Sequence, residues 1–334
     1  MGKRIVFCAD GTWDDPQSGT NVVKLYQAIA TSAVQVPYYD PGVGTDGTPL
    51  QKLTGGALGD GILQKVKDGY AKIAHIYDPG DDVFVFGFSR GAYTARSIAG
   101  MIAVSGLPSG SPTDALLDTA FQAYRNRANR PGLLATLNAA GFFDAKIKMV
   151  GVWDTVGALG IPAVFGNVDP AEYGFLDTAL HPDVLNAYQA LAIDERRQEF
   201  PPTLWTSAPI AGQTIEQVWF SGVHSDVGGG YPETAPGLSD ITLDWMIGKA
   251  AALGLAIDTS GPGYPSINAQ TSLGPIHESW NPLWLFPRSR TIDPDSSLGN
   301  SVAIRVQYER GYEPDNLRYS TGILASTYTI VPVV

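Results

Sequence analysis

Ser89 lies in Gly87-Phe88-Ser89-Arg90-Gly91, directly after the apolar run Val83–Phe88 and directly before a helical pattern over Ala92–Val104. A strand, a Gly-x-Ser-x-Gly turn and a helix in that order present a serine as a nucleophile. The tight turn pushes the hydroxyl outward, and Gly87 and Gly91 leave room for the turn. The N–H of Arg90 then points toward a developing oxyanion, and the helix N-terminus adds favourable potential for negative charge.

Such a serine needs a base, and the base needs an orienting carboxylate. The chain has four histidines. His75 precedes the nucleophile within a helical pattern, and His181 stands beside Pro182 at the start of another. His224 and His277 remain. The order along the chain in this kind of site is serine, acid, histidine. Ser89, Asp226 and His277 satisfy it and form the first reading. Asp226 follows the run Ile215–Phe220 within Gly222-Val223-His224-Ser225-Asp226-Val227-Gly228-Gly229-Gly230-Tyr231. Ser89, Asp154 and His224 form the rival triad, with Asp154 at the end of the run Ile147–Trp153. The structural alternatives are Asp154 tying down its loop and His224 shaping the glycine turn. At this level the choice stays open.

A second oxyanion donor is expected from Ala9-Asp10-Gly11-Thr12-Trp13, after the first apolar run. The backbone N–H of Gly11 or Thr12 can face that of Arg90. The alternative is an ordinary Asp-Gly turn. The same segment is reminiscent of the phosphatase pattern Asp-x-Asp-Gly-Thr, but Cys8 stands where its nucleophile is needed, which excludes that chemistry. Gly42-Val43-Gly44-Thr45-Asp46-Gly47 matches a dinucleotide fingerprint in letters only, because Pro41 precedes it and no helix opens on it. No organic cofactor and no metal are required.

These residues need a scaffold, and the hydropathy pattern supplies one. Ile5–Ala9, Val34–Tyr39, Val83–Phe88, Ile147–Trp153 and Ile215–Phe220 read as strands. Val22–Ala33 (capped by Asn21), Ile62–Tyr77, Ala92–Val104, one or two segments within residues 113–140, Val184–Glu199 and Ile241–Leu253 (capped by Ser239 or Asp240) read as helices. Pro41–Gly61 reads as a glycine-rich loop. Continuous apolar strands alternating with helices imply an α/β fold with a mostly parallel central sheet covered on both faces. No repeat or linker divides the chain, so one domain over residues 1–334 is expected. After about Ile257 the chain turns rich in Pro, Gly, Ser and aromatics, and Ala303–Tyr308 and Thr327–Val333 could be strands. Two apolar loops, Val156–Leu180 and the stretch holding Trp280, Leu283, Trp284, Leu285 and Phe286, could bind an acyl chain or act as lids over residues 155–180 and 260–300. The alternative is that both pack on the body.

The 334 residues are 44% hydrophobic and 16% charged, a folded composition, and Gly 38 and Pro 24 point to long shaped loops. A net charge of −11 excludes affinity for nucleic acid and gives no bulk attraction to anionic membranes, while local apolar contact with lipid stays compatible. One cysteine, Cys8, permits no internal disulfide. Met1-Gly2-Lys3-Arg4 resembles the start of a signal peptide, but the apolar run after it stops at Asp10, too short to serve. The expectation is synthesis in the cytoplasm, with export by a route that needs no such signal left open. The oligomeric state is not encoded legibly.

Five motifs occur in one order. They are Asp10-Gly11-Thr12-Trp13, Tyr39-Asp40-Pro41-Gly42-Val43-Gly44-Thr45, Gly87-Phe88-Ser89-Arg90-Gly91-Ala92, Val152-Trp153-Asp154-Thr155-Val156-Gly157 and Val223-His224-Ser225-Asp226-Val227-Gly228-Gly229-Gly230-Tyr231. As a set they resemble the uncharacterised α/β-hydrolase domain family that includes type VI secretion phospholipase effectors, over residues 1 to about 280. The resemblance implies an α/β-hydrolase fold and a Ser-Asp-His esterase, and in the effectors a phospholipase A acting on membrane lipids. By that likeness Ser89 is the nucleophile, Asp226 the acid and His277 the base. The expected reaction is acyl transfer from a small-molecule or lipid ester to water through an acyl-enzyme. A hydrolase fold retained only for binding, and a peptidase or amidase on the same scaffold, are the competing expectations.

Overall fold

Apolar runs without alternation can be buried only if both faces of their sheet are covered. The computed structural model meets that demand. It describes residues 2–11, 14, 16–42, 55–156, 179–232, 237–281, 284, 286–320 and 323–334. Eight strands form one sheet: β1 (Arg4–Ala9), β2 (Gln35–Asp40), β3 (Asp82–Phe88), β4 (Ile147–Trp153), β5 (Asn186–Ala192), β6 (Thr214–Phe220), β7 (Ser297–Gly299) and β8 (Thr329–Val331). Their order across the sheet is β8-β7-β6-β5-β4-β3-β1-β2, and every pairing is parallel. This is the α/β-hydrolase fold.

Alternate residues of each strand face opposite layers. Ile5, Phe7, Val83, Val85, Val150 and Val152 pack toward the helices α2 (Gly55–Ile76), α3 (Arg90–Ser105) and α4 (Asp114–Arg125). Val6, Cys8, Phe84, Phe86, Met149 and Trp153 pack toward α1 (Asn21–Ala28) and α7 (Leu238–Ala252). Between these lie α5 (Arg130–Ala139) and the single-turn α6 (His224–Gly228). Cys8 is fully buried, as its apolar run implied.

Several expectations are corrected. Val184–Glu199 is not a helix: Asn186–Ala192 is strand β5, between β4 and β6. Its Ala, Gln and Leu favour helix intrinsically, but six of its seven residues are buried, which leaves no solvent face for a helix. The buried Gln189 amide is satisfied by Thr203 and Gln217, and its oxygen accepts from Thr155. His181 accordingly opens a turn and no helix. Residues 303–308 belong to helix α8 (Asn300–Tyr308), where Val302 and Arg305 turn inward one helical turn apart. Thr20, not Asn21, caps α1, which ends at Ala28. The Asn21 amide instead ties the Val227 and Ser239 carbonyls to the Thr242 hydroxyl. Helix α7 starts at Leu238, so neither Ser239 nor Asp240 precedes it, although the Asp240 carboxylate accepts from the Gly237 N–H at 3.1 Å.

The tail adds a third apolar cluster. Leu298, Val302, Leu317 and Tyr328 pack on Leu191, Ile193 and Trp219 at the far edge of the sheet.

Candidate active site

Strand β3 ends at Phe88, and α3 begins at Arg90. Ser89 between them has φ 57° and ψ −123°, a region that side-chain-bearing residues avoid. The neighbouring glycines are needed by close approach. A β-carbon on Gly87 would sit 2.4 Å from the Gly91 carbonyl oxygen, and one on Gly91 would sit 2.3 Å from the carbonyl oxygens of Ala9 and Asp10. Those contacts lock the turn against the end of β1.

Among the described residues one other non-glycine has positive φ: Asp154, at 41°. It caps β4, the neighbour of β3, and its backbone is tied to the serine corner. The Ser89 N–H donates to the Trp153 carbonyl at 3.0 Å, and the Val156 N–H donates to the Ser89 carbonyl at 3.5 Å. The fully buried Asp154 carboxylate accepts from His224 Nδ1 at 2.6 Å, from Arg290 Nη1 and Nη2 at 2.6 and 2.9 Å, and from the Ala192 N–H at 3.0 Å. Burial pushes this carboxyl up, but the Arg290 guanidinium and the His224 bond overcome it and hold it well below the usual carboxylate range.

His224 opens α6, four residues after β6 ends at Phe220. Its ring lies 4.6 Å from the Phe88 ring and 5.0 Å, edge-on, from the Phe200 ring. Its N–H donates to Glu195 Oε2 at 3.2 Å. With Nδ1 committed to Asp154, Nε2 is the nitrogen left to accept a proton. Burial lowers the His224 pKa, against the upward pull of Asp154 and Glu195.

The other predicted pair is also assembled. His277 Nδ1 donates to Asp226 Oδ1 at 2.6 Å, and Asp226 Oδ2 accepts from the N–H groups of Val223 and His277 at 2.9 and 3.1 Å. The Tyr231 ring stacks on His277 at 3.9 Å. His277 lines a cavity of about 460 Å³ with Asp194, Arg196 and Tyr312, and Ser89 is not among that cavity's described lining residues. Among the described residues, neither histidine ring is hydrogen-bonded to Ser89 Oγ.

In the first loop, the position of a β-carbon on Gly11 is 3.4 Å from Ser89 Cβ, so this backbone borders the serine. The Gly11 N–H donates to its neighbour's Asp10 Oδ1 at 2.8 Å. Asp10 Oδ2 accepts from the Thr20 and Tyr39 hydroxyls, which fixes the loop. Thr12 lies outside the described residues, as do the glycine run from Val43 to Gly47, most of Val156–Leu180, and Leu283 and Leu285. In the second apolar loop Trp284 meets the Phe200 ring edge-on at 5.6 Å, and Phe286 is 78% exposed.

Sequence reasoning missed Arg290 and Glu195. Arg290 reaches Asp154 across 136 residues, and no local pattern marks it. Glu195 follows the strand misread as a helix. Its carboxylate forks onto Arg197 Nε and Nη2 at 2.9 and 2.8 Å and accepts from Ser279 Oγ. The Arg197 pair outweighs the burial that pushes Glu195 up and brings it down to about 2. Arg197 in turn lies 3.7 Å over the Phe200 ring that packs on His224.

Comparison with known proteins sets this site in context. An uncharacterized protein of Saccharomyces cerevisiae is 29% identical over 236 residues, covering 62% of this chain and 33% of its own length. A crystal structure of an uncharacterized Pseudomonas aeruginosa protein aligns at 16% identity over 77% of this chain and 46% of that one, with TM-score 0.45. The Tle1 effector bound to the VgrG spike of the type VI secretion system aligns at 16% identity over 71% of this chain and 53% of that one, with TM-score 0.40. A thermophilic esterase of Thermogutta terrifontis, solved with butyrate bound, aligns at 14% identity over 76% of this chain and 84% of that one, with TM-score 0.38. The chain thus spans a third of the yeast relative and about half of the first two structures. The family model of the Tle1-like catalytic domain of type VI secretion phospholipase effectors matches residues 3–249, a stretch that holds the Ser89 turn, Asp154 and His224, and the chain belongs to that family.

Proposed function

We propose that the chain is a serine hydrolase of carboxylic esters, acting through an acyl-enzyme, with Ser89 as nucleophile, His224 as base and Asp154 as the orienting acid. One observation carries the choice of base and acid: the strained Ser89 corner is hydrogen-bonded on both sides of the equally strained Asp154, and Asp154 holds His224 at 2.6 Å. Sheet order supports the same reading. The acid ends the strand next to the nucleophile's, the histidine follows β6, and the chain order serine, acid, histidine is kept. Asp226–His277 is the second reading, favoured by its own short bond and by Tyr231 stacked on the ring.

In the favoured reading, Ser89 Oγ attacks the ester carbonyl while His224 Nε2 takes its proton. Asp154 stabilises the imidazolium without itself becoming protonated. The oxyanion forms beside the Arg90 N–H at the start of α3, where the helix end favours negative charge. The Gly11 backbone borders the same place. The imidazolium then protonates the leaving alcohol, and water attacks the acyl-enzyme with His224 again as base.

Family membership directs attention to lipid esters, with a phospholipid acyl chain as the leading substrate class. Among the described residues no helix is long and apolar enough to cross a membrane, so contact with lipid falls to exposed side chains such as Phe286. The test is labelling with a fluorophosphonate, followed by hydrolysis of p-nitrophenyl esters and of phospholipid vesicles. Wild-type protein gains the phosphonyl mass on Ser89 and releases acid, and Ser89→Ala loses at least about 10⁴-fold in turnover. Labelling or turnover retained by Ser89→Ala overturns the assignment. Turnover of soluble esters with vesicles left intact overturns only the phospholipid.

A further inference from the structure

Seven residues beyond Ser89 on α3, about 10 Å along the helix, Arg96 is 5% exposed. Its Nη1 donates to the Thr203 carbonyl at 2.5 Å, and its guanidinium carbon lies 4.5 Å over the Trp205 ring. Its Nη2 is buried and has no hydrogen-bond partner. Among the described residues no carboxylate pairs with Arg96. A buried cation without a counter-charge and with an idle donor is costly, and such groups are ordinarily paired. The cost is visible in the guanidinium itself, whose pKa burial pulls down to about 9.

Arg96 lines a cavity of about 170 Å³. Arg127, Arg130 and His181 also line it, and none of its described lining residues is acidic. Asp183, whose carboxylate stands 3.5 Å from His181 Nδ1, is not among them. This cationic pocket sits in a chain of net charge −11. Apart from Tyr124, the rest of its described wall carries apolar side chains, Val104, Val150 and Trp205 among them. Ser89, Asp154 and His224 do not line it.

We propose that this cavity is a second binding site, for a small carboxylate carrying an apolar body. The carboxylate pairs with the cationic side chains of the wall, Arg96 among them, and the body lies against Trp205 and the valines. A carboxylate fits better than inorganic phosphate, because a small dianion leaves the apolar wall unmatched. The volume is close to that of a cavity of about 150 Å³ that accepts benzene, so benzoate is a fitting probe. Acids of this class are also what cleavage of carboxylic esters releases.

The test is calorimetric titration of the full chain with sodium benzoate and, separately, with inorganic phosphate. Benzoate is expected to bind one to one with a dissociation constant of about 1 mM or tighter, and phosphate at least about tenfold more weakly. Arg96→Met should weaken benzoate by at least about tenfold. Val104→Phe fills the cavity while leaving Arg96 in place, so it tests the site even if Arg96→Met does not fold, and it should abolish binding. No binding of benzoate to the wild type up to about 50 mM overturns the proposal. Binding unchanged in Val104→Phe overturns it too, since benzoate then sits elsewhere. Phosphate as tight as benzoate overturns the carboxylate assignment. None of these readings depends on ester turnover, so failure here leaves the proposed hydrolase chemistry untouched.

Discussion

At the scale of single residues, the proposed site rests on a carboxylate that serves three partners. Asp154 gives one oxygen to His224 and Arg290 together and the other to Arg290 and the Ala192 N–H. Arg290 is itself buried and also donates to the Ala192 and Phe200 carbonyls. Removing it leaves a buried charge with half its compensation. Arg290→Met is therefore expected to lower unfolding free energy by about 3–5 kcal/mol, read by urea denaturation. Its partner's titration gives a second prediction. A base must be neutral to accept a proton, and burial moves His224 below its ordinary 6.5. At pH 6.5 more than half of it is then unprotonated, so the acid limb of kcat/KM has its midpoint below about 6.5. A pH–rate profile with that midpoint above neutrality contradicts the assignment of His224.

At the scale of elements, the serine corner depends on how closely the start of α3 meets the end of β1. Gly91→Ala forces a β-carbon to within 2.3 Å of two carbonyl oxygens, and backbone cannot yield as a side-chain tip can. The helix start must move, and the Arg90 N–H moves with it. The expected result is a fall in kcat of about 10²-fold or more with KM changed far less, measured by steady-state ester hydrolysis. This corner was legible in the sequence because its signal is local: an apolar run, two glycines and a helical period within the 22 residues Val83–Val104. Five of the sheet's strands were legible for the same reason, and β8 lies within the possible strand Thr327–Val333. Strand β5 was not, because Ala-Tyr-Gln-Ala-Leu-Ala carries helix-favouring residues whose fate is decided by the strands on either side. That misreading hid Glu195, which follows β5. With β5 counted, β6 is where the histidine follows, and Asp226 lies beyond it in α6. Both histidine–carboxylate pairs were readable as candidates, but chain order could not rank them, since each satisfies it.

At the scale of the whole molecule, the segment matching the family ends at residue 249, yet Arg290 comes from the tail beyond it. The same tail supplies Leu298, Val302, Leu317 and Tyr328 to the third apolar cluster and strands β7 and β8 to the sheet edge. The tail thus belongs to the body that holds the site. A chain truncated after Asp258 exposes Leu191 and Trp219 and strips Asp154 of its arginine. It is expected to lose cooperative thermal unfolding and ester turnover together, followed by calorimetry and by assay. The central claim remains the identity of the base, and one comparison addresses it most directly: kcat/KM for a p-nitrophenyl ester in His224→Ala and His277→Ala, each checked for folding by circular dichroism. The account predicts a loss of about 10³-fold or more in His224→Ala and activity within about tenfold of wild type in His277→Ala. Turnover preserved in His224→Ala and abolished in His277→Ala contradicts it and assigns proton transfer to the Asp226 pair.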